Sequence, residues 1–154
     1  MTPGEQPNIF HPRWDAERDE PPFRWRRAQM GRQAGAQALG LSLFEVPAGA
    51  ATFQLHAHHA NEELIIVLAG QLVLTTRDGE RELKTGDVVS CRAGRDGAHR
   101  LDNRDHEPAR VLIGSTMVAP DVTELSEDAQ LWMRDYPPGG DPGPDALDVK
   151  LPID

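Results

Sequence analysis

From Leu39 to Ser115 the chain is cut into about eight runs of four to eight residues, each bounded by Gly, Pro, Asn or Asp. Leu39, Leu41 and Leu43 alternate with their neighbours until Pro47-Ala48-Gly49 breaks the run. Thr52 to His58 alternates again, with Phe53 and Leu55 on one face and Gln54, His56 and His58 on the other. Glu63 to Leu68 is a short apolar, β-branched run ending at Gly70. Gln71 to Thr76 leads into Asp78-Gly79, a tight hairpin signal, and Glu80 to Leu83 returns. After Thr85-Gly86-Asp87 come Val88 to Arg92, Ala98 to Asn103 and Arg110 to Ser115. Short, evenly spaced strands predict an all-β sandwich or barrel. The one predicted helix starts near Ser126, with Glu127 and Asp128 in its first turn and Ala129 to Met133 following.

The flanks read differently. Pro3, Pro7, Pro12, Pro21 and Pro22 make residues 1–22 an irregular lead. Pro137-Pro138-Gly139-Gly140-Asp141-Pro142-Gly143-Pro144 reads as a tail without a packed core. The expected division is therefore 1–37 as lead and edge strand, 38–118 as the β unit, and 119–154 as helix and tail. No apolar run approaches the roughly 18 residues of a spanning helix, and the polar N-terminus has no apolar core that could serve as a signal, so a cytoplasmic protein is expected. A net charge of −9 repels phosphate backbones and argues against nucleic-acid binding. Arg24-Trp25-Arg26-Arg27, followed by Arg32, is the local exception. It reads as a solvated or subunit-facing strand, with an anion-binding rim as the alternative. The single cysteine, Cys91, makes no internal disulfide and is expected as a small buried hydrophobe.

The chemistry is concentrated in His56-Ala57-His58-His59. Residues two apart on a strand point the same way, so His56 and His58 share a face and His59 points to the other. Two imidazoles side by side on a buried face need something to bind their lone pairs, and a divalent metal does this well. Glu62-Glu63 follows after a break and would place a carboxylate on the adjacent strand, and a later segment offers His99. Three imidazoles and a carboxylate suit one divalent transition metal: iron or manganese first, with zinc, nickel or copper also fitting. The set is too rich in nitrogen for magnesium or calcium. His11, His59 and His106 read as surface or turn residues. No nucleophile elbow, zincin helix, phosphate-cradling loop or cysteine pair competes with this constellation.

These residues resemble the motifs of the cupins. Gly49, His56-Ala57-His58, Glu63 and Gly70 follow the first cupin motif, with six residues after Gly49 where five is usual. The count to Gly70 selects Glu63 over Glu62 as the ligand. Gly86, Gly94, His99 and Asn103 follow the second motif, with two departures. Arg92 stands in place of a proline, and four residues rather than two separate Gly94 from His99, which lengthens the turn through Arg95-Asp96-Gly97. The resemblance covers roughly residues 38–116 and is to small single-domain bacterial cupins. It implies a double-stranded β-helix (jelly-roll) barrel, a metal held by His56, His58, Glu63 and His99, and a homodimer.

With four protein ligands, a six-coordinate metal keeps two positions for substrate or O₂. The expected function is a small-molecule metalloenzyme of oxygenase or isomerase type, and the alternative is a non-catalytic ligand-binding or sensing module. Gln54 is the candidate hydrogen-bond donor to a substrate, and Glu62 the candidate for proton transfer. Phe44, Phe53, Leu74 and Met117 are expected to line an apolar pocket. Arg92 or Arg95, in the long turn, are candidates to hold an anionic substrate.

Overall fold

The computed structural model describes residues 5–153; the first four residues of the expected lead and Asp154 of the tail lie outside the described residues. Thirteen strands form: β1 Ala16–Glu20, β2 Phe23–Ala28, β3 Gly40–Val46, β4 His56–His58, β5 Glu63–Ala69, β6 Gln71–Thr76, β7 Gly79–Lys84, β8 Val88–Cys91, β9 His99–Asp102, β10 Ala109–Ser115, β11 Asp121–Leu125, β12 Gln130–Arg134 and β13 Asp148–Pro152. A short helix, α1, spans Met30–Gln33, and one 3₁₀ turn spans Arg95–Gly97.

The strands make a six-stranded sheet, β1-β2-β3-β10-β5-β8, and a seven-stranded sheet, β13-β12-β11-β4-β9-β6-β7. All ladders are antiparallel, as in a jelly roll. The expected closed barrel does not form. Each sheet keeps two free edges, β1 and β8 in one and β13 and β7 in the other. Between the sheets the backbone joins through Ala51 alone among the described residues, by isolated bridges to Phe23 and Asp102. One residue is too little for a ladder, so the two sheets face each other open.

Alternation decides which side chains go between the sheets. Along β5, Ile65 and Val67 point inward and join Phe44, Val46, Leu72, Leu74, Leu101 and Val111 in the main core. Each fully buried side chain of this size stabilises by about 1.5–3 kcal/mol. Ile66 and Leu68 point outward, where Leu43, Leu112, Ala28 and Met30 make a second cluster under Ile9 and Trp14. The lead and α1 thus cover the outer face of the six-stranded sheet, which lets β5 be apolar on both sides.

Three further expectations change. Residues 16–20 of the expected irregular lead form β1, paired along its whole length with β2 and clear of the prolines on either side. The predicted C-terminal helix is instead a hairpin: Ser126 to Ala129 form a turn, with Ala129 at φ +49, and Gln130 to Arg134 are β12. β12 is paired on both sides, by β11 and β13, and that ladder overrides the helical signal of Glu127 and Asp128. The expected strand from Thr52 shortens to His56–His58. The backbone at Thr52 donates to Leu101 O (3.0 Å) and accepts from Trp25 Nε1 (2.9 Å), while Leu55 O accepts from Ser126 N (3.0 Å). These partners lie on separate elements, so the segment bends across the fold instead of extending one ladder. The Pro/Gly-rich segment is irregular, as expected, and is tied to the other end of the chain: Gln29 donates to Gly139 O (2.7 Å), and Arg32 pairs with Asp141.

Candidate metal centre

The site is assembled across the gap between the sheets. His56 and His58 stand on β4, His99 on the neighbouring β9, and Glu63 opposite them on β5. His56 and His99 are register partners with ring centroids 4.5 Å apart, and the His56 and His58 rings are 5.1 Å apart. All three histidines are buried. Ligand atoms of His56, His58 and Glu63 lie within 4.8 Å of one another. Glu63 Oε1 is 3.7 Å from His58 Nε2, and Glu63 Oε2 is 3.0 Å from His99 Nε2.

Each ring is oriented from behind by an acceptor at Nδ1. His56 donates to Gln54 O (2.8 Å), His58 to Asp121 Oδ2 (2.8 Å) and His99 to Gly97 O (2.9 Å). A proton committed to Nδ1 leaves the lone pair on Nε2, the form that ligates a metal. Asp121 is itself fixed by the Ala60 amide (3.0 Å) and by Arg134, whose Nη2 is 3.5 Å away. The lengthened turn supplies Gly97. A Cβ there would lie 1.7 Å from the Arg92 carbonyl oxygen, so only glycine fits behind His99.

The electrostatics leave room for a cation. Burial, aided by the neighbouring His99 and His58, pushes the His56 pKa down to about 3. Burial alone would raise the Glu63 carboxyl, but the His99 contact and the three imidazoles hold it down at about 2. Burial likewise opposes charge on His99, yet the Cys91 and Glu63 side chains outweigh it and raise His99 well above the usual range. Glu63 Oε2 is buried and accepts no well-formed hydrogen bond. With the Nδ1 proton of His99 engaged, its Nε2 lone pair would face that carboxylate oxygen. Only a cation between them, a proton or a metal ion, reconciles the two. The donor set therefore fits a divalent transition metal.

The cluster lines a cavity of about 420 Å³ between the sheets, within the range of small-molecule sites. Phe44, Phe53 and Met117 line it as expected; Leu74 lies fully buried in the core instead. Trp25, Phe44 and Phe53 pack edge-on or tilted at 5.3–5.7 Å, and Phe53 continues to His56 at 5.9 Å, so one aromatic wall runs down to the cluster. Gln54 lines the cavity, but its amide donates to Asp128 (3.0 Å). Glu62 is not brought to the site: it is exposed and accepts from Ser90 (2.9 Å). Arg92 and Arg95 do not line the cavity either, and Arg95 pairs with Glu124 at 2.8 Å. Cys91 is buried, as expected. Sequence reasoning missed Asp121, Thr123 and Arg134. Their signal was the alternation Asp121, Thr123, Leu125, a period of two in a segment set aside as a flank.

Two facing antiparallel sheets with a His/His/Glu cluster between them define a jelly-roll protein with a candidate metal centre. The fold is cupin-type, and residues 42–114 match the family described as Cupin domain. No curated protein matches the chain. Among solved structures it is similar to a candidate sugar phosphate isomerase of Acidithiobacillus ferrooxidans, with a TM-score of 0.73 and 20% identity over 86% of this chain and 82% of that one. It is similar to a sugar phosphate isomerase of the cupin superfamily from Silicibacter pomeroyi, with a TM-score of 0.72 and 23% identity over 84% and 80%. A predicted oxalate decarboxylase of Thermotoga maritima gives a TM-score of 0.55 and 20% identity over 62% and 82%. At these identities the likeness is one of fold. No helix among the described residues is long and apolar enough to cross a membrane.

Proposed function

We propose that this chain is a small-molecule metalloenzyme holding one divalent transition metal, iron or manganese first, through His56, His58, Glu63 and His99. The observation that carries the reading is the set of three buried imidazoles, each donating from Nδ1, around the orphaned Glu63 Oε2 at the cavity wall. A bound metal would supply Lewis acidity toward the oxygens of a substrate such as an enediol, a dicarbonyl or a sugar. The chain's own part is to hold and exclude. The aromatic wall of Trp25, Phe44 and Phe53 keeps bulk water from the cluster, and the Nδ1 acceptors keep the rings aimed. An isomerase or an oxygenase reaction fits such a site. The two similar structures described as sugar phosphate isomerases put sugar phosphates first in a substrate screen.

The second reading, a non-catalytic ligand-binding module, is favoured by a different observation. Among the described residues no carboxylate apart from Glu63 lines the cavity, and neither a cysteine nor a tyrosine does. The screen separates the two, run on metal-loaded protein and on the His56→Ala/His58→Ala variant. Turnover lost in the folded variant supports the enzyme. Turnover that survives there overturns it, and ligand-induced stabilisation without turnover supports the binding module. We further propose a homodimer. Leu41 and Leu64 flank Gly114 in one row on the outer face of the six-stranded sheet, and both are exposed. Light scattering that gives a monomer overturns this.

A further inference from the structure

The cavity is cationic within an acidic chain. Among the described residues Arg18, Arg27, Arg134 and Lys150 line it, against the single carboxylate of Glu63, although the net charge is −9. Most of these cations are accounted for. Arg18 pairs with Glu20 (3.3 Å), Arg134 pairs with Asp121 and stacks on Trp132 (3.9 Å), and Lys150 lies over Trp132 at 4.9 Å. Arg27 alone combines two features: like Lys150 it makes no ion pair among the described residues, and like Arg134 its Nε is buried without a hydrogen-bond partner.

The register explains why. β2 alternates, so Arg24 and Arg26 face outward and are neutralised there by Asp19 (2.9 Å) and Glu45 (2.7 Å). Arg27 is the register partner of Phe44, which lies in the cavity row, and its guanidinium carbon sits 5.7 Å over the Trp25 ring. The C-terminal segment closes in from the other side: a Cβ at Gly139 would lie 3.7 Å from Arg27 Nη1. Burial lowers the Arg27 pKa, with Asp15 offsetting part of this, so the folded chain holds the charge at a cost that an anion would relieve. A guanidinium with unused donors, backed by an indole and opening on a cavity of ligand size, is the usual means of holding an oxyanion.

We infer that Arg27 is the anion-binding subsite of this cavity, holding the phosphate or carboxylate group of a small ligand whose other oxygens reach the histidine cluster. This rests on the reading of the cavity as a small-molecule site, but it does not require the metal. Its specificity role falls to a strand outside the residues that carry the cupin motifs.

The test titrates inorganic phosphate, and separately acetate, into the protein, following tryptophan fluorescence, since Trp25 and Trp132 both line the cavity. Wild type, His56→Ala/His58→Ala and Arg27→Met are compared, with metal content measured on each preparation. Expected are binding that persists in the histidine variant and weakens about tenfold or more in Arg27→Met. Preference for phosphate assigns a phosphate ester as the ligand group, and preference for acetate assigns a carboxylate; both support the subsite. Arg27→Gln, which keeps a polar group in place, gives the same reading should Arg27→Met not fold. No binding by wild type, unchanged binding in the Arg27 variants, or loss of binding in the histidine variant overturns the inference. Metal content reports on the metal site independently, so either reading can fail alone.

Discussion

His58 Nδ1 and Asp121 Oδ2 are 2.8 Å apart on adjacent antiparallel strands, and the carboxylate has no exposed surface. The Asp121 carboxyl is held below its usual range: burial works against this, but the His58 hydrogen bond and the Ala60 amide outweigh it. It therefore stays an acceptor and fixes the tautomer of His58. Asp121→Asn should weaken metal binding about 10–100-fold with the sheets intact. Titration with Mn(II), alongside circular dichroism, checks this. Unchanged affinity would remove Asp121 from the site's support.

Metal uptake should be proton-linked. His99 holds its proton well above the usual range against Glu63, and a metal entering the same space must displace it. Affinity should fall about tenfold for each pH unit lost below the raised His99 value while this one proton competes. Calorimetry in buffers of different ionisation heat should register about one proton released per metal bound. An affinity flat across that range would contradict the arrangement.

The metal-free protein should be most stable near the ordinary histidine pKa of 6.5. His56 is depressed to about 3, so between 3 and 6.5 the unfolded chain binds more protons and stability rises with pH. His99 is raised, so its contribution is full below 6.5 and is lost as pH climbs through its folded value. Glu63, depressed to about 2, adds stability that is lost as pH falls from 4.5 toward 2. Thermal melts across pH, with metal removed by a chelator, should show stability falling on both sides of that maximum.

Gly97→Ala should destabilise the protein by about 2 kcal/mol or more, because the added methyl meets the Arg92 carbonyl and the turn must shift. The shift also displaces the acceptor behind His99, so metal affinity should drop in the same variant. Chemical denaturation and metal titration give the two readings. A neutral substitution would mean that the turn rearranges freely.

Strong two-residue alternation made the middle of the fold legible. Gln71–Thr76 forms as expected, and the hairpin that follows is closed by Gly79 at φ +124, with Arg77 and Asp78 as the two-residue loop. His56 and His58 share a face because strand geometry requires it, and the structure brings Glu63 to them. What could not be read depends on contacts remote in the chain. β12 carries Glu127-Asp128 before it, a local helix signal, and becomes a strand only because β11 and β13 pair with it. Barrel closure depends on whether sheet edges meet, which no local pattern encodes. Arg27 looks like its arginine neighbours in the sequence, and only the pleat separates the one that faces inward.

The cavity is walled in part by residues that the family match does not include. Trimmed to residues 42–114, the chain would keep His56, His58, Glu63 and His99. It would lose Trp25 and Arg27 from one end, and Asp121, Trp132 and Arg134 from the other. On the proposed reading, the matched segment would hold the metal, while the two flanks, clasped together by Gln29–Gly139 and Arg32–Asp141, would choose the guest. Relatives with the same histidines and different flanks would then divide by what they admit, and grafting flanks between them would be a direct way to exchange substrates.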